Sequence, residues 1–132
     1  MRVERQLSLI LENRPGVLAA VCEDLGKNKI NIEAVTVANL VDHSVVRLVV
    51  SDADRATHLL GAAGVLVFEN DVVAVSAANK PGALAEIARR LGKARVNIDY
   101  LYASTPRPTG KATIYLRVSD VKRAQAALKG YR

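Results

Sequence analysis

Residues 13–33 of this 132-residue chain recur at residues 79–99. Asn13-Arg14-Pro15-Gly16-Val17-Leu18-Ala19 returns as Asn79-Lys80-Pro81-Gly82-Ala83-Leu84-Ala85, and Leu25-Gly26-Lys27 with Asn31-Ile32-Glu33 returns as Leu91-Gly92-Lys93 with Asn97-Ile98-Asp99, all at an offset of 66. Ten of the 21 aligned positions are identical. Unrelated segments match at about one position in fifteen to twenty, so the chain is expected to hold two copies of one supersecondary unit. A unit of this size buries only about 60% of the surface its unfolded chain exposes. The two copies, or two chains, are therefore expected to lean on each other.

Within each copy the hydrophobic period changes in a fixed order. Residues 6–12 alternate, with Leu7, Leu9 and Leu11 on one face, which predicts a strand. After Asn13 to Gly16 the apolar residues Leu18, Val21, Cys22 and Leu25 recur at helical spacing, mirrored by Leu84, Ile87, Ala88 and Leu91, with Pro15 placed at a first helical position and Gly26 and Gly92 near the helix ends. β-branched stretches follow at residues 30–38 and 96–103, then apolar strands at 44–50 and 111–118. Ser51-Asp52 and Ser119-Asp120 read as helix-capping pairs. Copy one closes with a strand at 65–69. Strand, helix, strand, strand, helix, strand is the split βαβ order of the α+β, ferredoxin-like class, with a 4-1-3-2 sheet under the right-handed crossover rule.

Copy two stops where its last strand is due, which predicts a bare edge on the strand at 72–78. Asn70-Asp71 has the composition of a two-residue hairpin loop. Two expectations follow: the strand at 65–69 folds back and serves both units, or a second subunit supplies the missing strand. The division expected is residues 1–69 for the first domain and 70–132 for a truncated second one.

Composition excludes several functions. No run approaches the roughly 18 to 20 uninterrupted apolar residues that span a bilayer, and the start lacks a signal peptide's apolar core, which predicts a cytoplasmic protein with no membrane partner. Cys22 is the only cysteine, so neither an intrachain disulfide nor a cysteine metal cluster is available, and it is expected as a small core residue. His43 and His58 have no helical-spacing partner and are expected at the solvated surface; no metal and no cofactor are predicted. No phosphate loop, nucleophile elbow or acid–base pair is present, so the chain is not expected to be an enzyme. Residues 1–66 carry a net charge of −1 and residues 67–132 one of +7. That surplus is either a solvated face or the mark of an anionic partner. RNA-recognition modules share this topology but stack bases on aromatic residues of the central strands, where Tyr115 is the main one, so nucleic acid is not expected as a partner.

The Asn-basic-Pro-Gly turn is the best candidate for chemistry. Glycine leaves room for a ligand at the backbone, and the N–H groups of residues 16–18 and 82–84 form a potential anion site at a helix start. Asn13 and Asn79 each bring a donor and an acceptor, able to meet either end of a zwitterion. A helix terminus contributes at most about 2 kcal/mol, whereas a micromolar ligand needs about 8, so a second wall is required. The same Pro-Gly pair is also simply good helix initiation, and Asn31 and Asn97 also suit a plain helix-to-strand turn.

Asn-x-Pro-Gly-x-Leu, then Leu-Gly, then Ile/Val-Asn-Ile-Glu/Asp, in this element order and twice over, resembles the ACT domain, the small-molecule regulatory module of amino-acid metabolic enzymes. The chain resembles the short tandem ACT proteins over nearly its whole length. The resemblance implies a regulatory or sensor protein that binds a free amino acid at an ACT–ACT interface, as a homodimer and in service of a metabolic enzyme partner. Residue by residue it points to Asn13, Arg14, Gly16, Val17, Leu18, Asn31 and Ile32, and to Asn79, Lys80, Gly82, Ala83, Leu84, Asn97 and Ile98. Copy one is also similar to the opening of the acetolactate synthase regulatory subunit, so service as such a subunit is one alternative. A purely structural assembly domain is another.

Overall fold

In a computed structural model, which describes residues 1–104 and 110–131, each copy of the repeat builds the same layer of helices on antiparallel sheet. The elements are β1 (Arg2–Glu12), α1 (Val17–Lys27), β2 (Ile32–Leu40), β3 (His43–Val50), α2 (Ala53–Ala62), β4 (Leu66–Ala78), α3 (Ala83–Lys93), β5 (Ile98–Ser104), β6 (Lys111–Val118) and α4 (Val121–Ala127). The strand order is β2-β3-β1-β4-β6-β5. The chain divides into two compact units, residues 5–70 and residues 1–4 with 71–132. Within each, the order resolves as the expected 4-1-3-2.

In the unit of residues 5–70, the alternation of β1 carries through to the pairing. Leu7 faces Leu48 and Leu9 faces Val46, and these four, with Val21 and Leu25 of α1 and Ala56 and Leu60 of α2, form the core. Burying one such aliphatic side chain stabilises by about 1.5–3 kcal/mol. The second unit repeats the arrangement: Val73 faces Leu116, Val75 faces Ile114, and Ile87, Leu91, Ala124 and Leu128 cover them. Helical spacing identified the buried turn at Val21 and Leu25, but Leu18 and Leu84 stand 39% and 43% exposed and Cys22 is only half-buried. In the first turn it is Val17 and Ala83 that pack on the two cores instead.

The junction between the repeats differs from both expectations. Asn70 and Asp71 form no hairpin; β4 runs unbroken from Leu66 to Ala78. A tight two-residue hairpin needs positive φ, and among the described non-glycine residues only Lys29, Val41 and Arg95 have it. Val65 and Val67 pack on the core of residues 5–70, so this strand does not close both units. The strand beside β4 is β1, whose first residues belong to the second unit. Residues 1–4 stand where the fourth strand of that unit was due, and no second subunit is needed to supply it. The expected turn at Thr105 to Gly110 lies, apart from Gly110, outside the described residues.

The helix ends share one device. Ile30 N–H donates to Leu25 O at 2.9 Å and Lys29 N–H to Gly26 O at 3.0 Å; Val96 and Arg95 do the same to Leu91 and Gly92, at 2.9 and 3.0 Å. This is a Schellman cap. Gly26 and Gly92 lie inside the last helical turn, and the left-handed residue is Lys29 or Arg95, each at φ 57°.

Candidate functional site

The repeated Pro-Gly pair forms a type II β-turn before each helix. Val17 N–H donates to Arg14 O at 3.4 Å and Ala83 N–H to Lys80 O at 3.3 Å, which places proline at the second turn position and glycine at the third, at φ 86° and 87°. Glycine is demanded there by the positive φ. A Cβ built on either glycine meets nothing within 4 Å. Pro15 is thus a turn residue ahead of the helix, and two of the six N–H groups expected to face an anion, those of Val17 and Ala83, are engaged in the turn. The N–H groups of Gly16, Leu18, Gly82 and Leu84 make no hydrogen bond among the described residues. Neither helix has a side-chain cap, whereas Asp52 and Asp120 accept from Arg55 N–H and Arg123 N–H, at 3.1 and 3.0 Å, to cap α2 and α4.

Asn13 has a structural task. Its N–H donates to Asp42 O at 2.9 Å, and its Nδ2 donates to Val41 O at 2.9 Å and Asn39 Oδ1 at 3.0 Å, tying the α1 approach to the β2–β3 turn. Asn79 N–H bonds Gly110 O at 2.8 Å in the same way. Arg14 Nε lies 2.6 Å from Glu12 Oε2. That hydrogen bond, with the guanidinium charge, holds the Glu12 carboxyl below the usual carboxylate range. Asn31 and Asn97 meet the capping pairs through their backbones: Asn31 N–H donates to Ser51 Oγ and Asn97 N–H to Ser119 Oγ, both at 2.9 Å, while Ser51 and Ser119 N–H return bonds to their carbonyls. Asn97 Nδ2 also donates to Asp99 Oδ1 at 2.8 Å. The Asn31 side chain is exposed and bonds to no described residue. Ile32 and Ile98 are half-buried beside the two cores.

Of the first-copy candidates, Arg14, Gly16 and Val17 are brought together on a pocket of about 340 Å³ whose apolar walls include Leu11, Val21 and Val65. Asn13, Leu18, Asn31 and Ile32 are not among its lining residues. Asp24 and Ala20 are, together with Ala63. Sequence reasoning missed them, although Gly16, Ala20 and Asp24 follow one another at a spacing of four along the face of α1.

The family model for the ACT domain pair matches residues 1–128. The chain belongs to the ACT domain pair family. Protein BT0572 from Bacteroides thetaiotaomicron is similar in structure, with a TM-score of 0.90 and 36% identity over 96% of this chain and 87% of that one. The regulatory subunit of aspartate kinase from Thermus thermophilus superposes with a TM-score of 0.74 at 18% identity, covering 97% and 91% of the two chains, and that from Thermus flavus with 0.70 at 18%, covering 97% and 92%. At that identity the likeness is one of fold. No functionally curated protein matches the chain. ACT domain pairs are regulatory modules, typically amino-acid-binding, rather than catalytic ones. In this pair no described helix is long and apolar enough to cross a membrane, and no described group of three or more His, Cys, Asp or Glu is placed to hold a metal ion.

Proposed function

We propose that this ACT domain pair is a regulatory protein that binds a free amino acid, with the turn at residues 13–18 as its working site and a facing ACT unit of a second copy as the other wall. The observation that carries the proposal is the conjunction at α1: a helix start without a side-chain cap, its Gly16 and Leu18 N–H making no hydrogen bond among the described residues, beside a pocket with apolar walls that Gly16 and Arg14 line. N–H groups and a guanidinium suit the carboxylate of the ligand, Asp24 suits its ammonium, and Leu11, Val21 and Val65 suit an aliphatic side chain. Binding energy that differs between two assembly states then shifts the equilibrium between them, which is how such a module regulates a metabolic enzyme partner.

Thermal melts against each of the twenty amino acids test the reading. A ligand at a hundred times its dissociation constant stabilises the folded state by about 2.7 kcal/mol, and a rise in midpoint with one amino acid is the expected result. If none moves the midpoint, the proposal fails. Arg14→Ala is expected to remove the rise and Lys80→Ala to spare it. The opposite pattern assigns the work to the turn at residues 79–84, including Asn79, Gly82, Ala83 and Leu84.

A further inference from the structure

The unit of residues 5–70 holds a second pocket, away from the Pro-Gly turn, of about 320 Å³. Ile30 and Leu59 supply its apolar part, and Asn28, Asp54, Arg55 and His58 its polar part. Small-molecule sites commonly begin at about 300 Å³, mostly apolar with a few convergent polar groups. Asp54 is answered by Arg5, whose Nη2 lies 2.8 Å away. The guanidinium of Arg55 has no partner among the described residues.

The second unit differs at the same place. Arg123 occupies the position of Arg55 in the second unit, and there Nη2 donates to Ala94 O at 2.5 Å, closing the end of α3. The residue matching Ala94 in the first unit is Asn28, the C-cap of α1, whose Nδ2 donates to Asp24 O at 2.8 Å, a carbonyl four residues before its own. Arg55 makes no bond matching that of Arg123 among the described residues. His58 and Leu59, where the second unit has Ala126 and Ala127, add a polar group and an apolar wall beside the Arg55 cation. We infer that this pocket is a second ligand site, for a small organic carboxylate with an aliphatic body. Arg55 takes the carboxylate, His58 adds a hydrogen bond, and Ile30 and Leu59 cover the hydrocarbon. No amino group is required, which separates this site from that of the proposed regulatory amino acid.

Titration of the whole chain with 4-methylpentanoate, followed by amide NMR, tests the inference. Saturable shifts confined to residues 28–30 and 53–60 are expected. Arg55→Ala is expected to weaken binding by about tenfold or more, since a charge-assisted bond is lost, while Arg123→Ala leaves it unchanged and the spectrum itself reports that each variant is folded. 3-Methylbutylamine, which keeps the aliphatic body without the carboxylate, is expected not to bind. Absence of shifts at residues 28–30 and 53–60, shifts centred instead on residues 14–21 and 63–65, equal binding of the amine, or an Arg55→Ala protein that binds as tightly as the parent would each overturn it. An amino acid that perturbs residues 14–21 while 4-methylpentanoate perturbs nothing leaves the regulatory site standing and removes this one.

Discussion

Gly16 and Gly82 differ from their neighbours in what holds them: a backbone angle, with open space where a side chain would begin. An L-residue in the left-handed region costs about 1–2 kcal/mol, so Gly16→Ala and Gly82→Ala are each expected to lower stability by about 1 kcal/mol in urea melts, without a packing clash. The same strain makes Gly16→Val a poor test of ligand binding. The exposed pair at Arg14 and Glu12 behaves differently. Because the Glu12 carboxyl is held low in the folded state, its small contribution is present above the unfolded pKa and lost as pH falls through the folded one. Arg14→Ala is expected to return the Glu12 titration upward to the usual carboxylate range, read by carbon NMR of its side chain, with little effect on stability because both groups lie in solvent. The residue types at these positions were legible in the sequence. Their tasks were less so, since Pro-Gly serves equally at a helix start and in a type II turn, and only the φ angle distinguishes them.

At the scale of elements, periodicity placed the helices and most strands within a few residues, because the apolar period is imposed by the same side chains that fill each core, but it split β4 into two strands. It did not place the helix ends. Lys29 and Arg95 occupy left-handed cap positions where glycine is preferred, and Lys29→Gly and Arg95→Gly are each expected to raise the thermal midpoint, by the equivalent of about 0.5–1 kcal/mol. A fall in midpoint would show that the stems of these side chains stabilise more than the backbone angle costs. The Ser-Asp pairs were read as caps, and each does two things: aspartate caps the helix that follows, and serine accepts the N–H of Asn31 or Asn97. Ser51→Ala and Ser119→Ala are each expected to cost about 1 kcal/mol in denaturant melts. Nothing in the local pattern singles out that serine role, because its partner lies 20 or 22 residues earlier in the chain.

At the scale of the whole molecule, the division of β1 and β4 between units is what sequence patterning could not show. Removing residues 1–4 is expected to speed amide exchange at residues 72–75, now fully or almost fully buried, and to leave residues 44–50 protected; equal protection at 72–75 before and after would count against a role for residues 1–4 in closing that unit. The sequence by itself determined the duplication, the element order, the two aliphatic cores and the family, since each is written in side-chain type at short or repeated spacing. Tertiary structure decided that residues 1–4 join the second unit, that β4 runs through Asn70-Asp71, and that the Arg55 guanidinium has no partner among the described residues where Arg123 has one. Strand edges pair through backbone N–H and C=O groups that are alike in every residue, and a guanidinium bonds whichever carbonyl the fold brings within reach. Neither choice leaves a mark on the pattern of residue types.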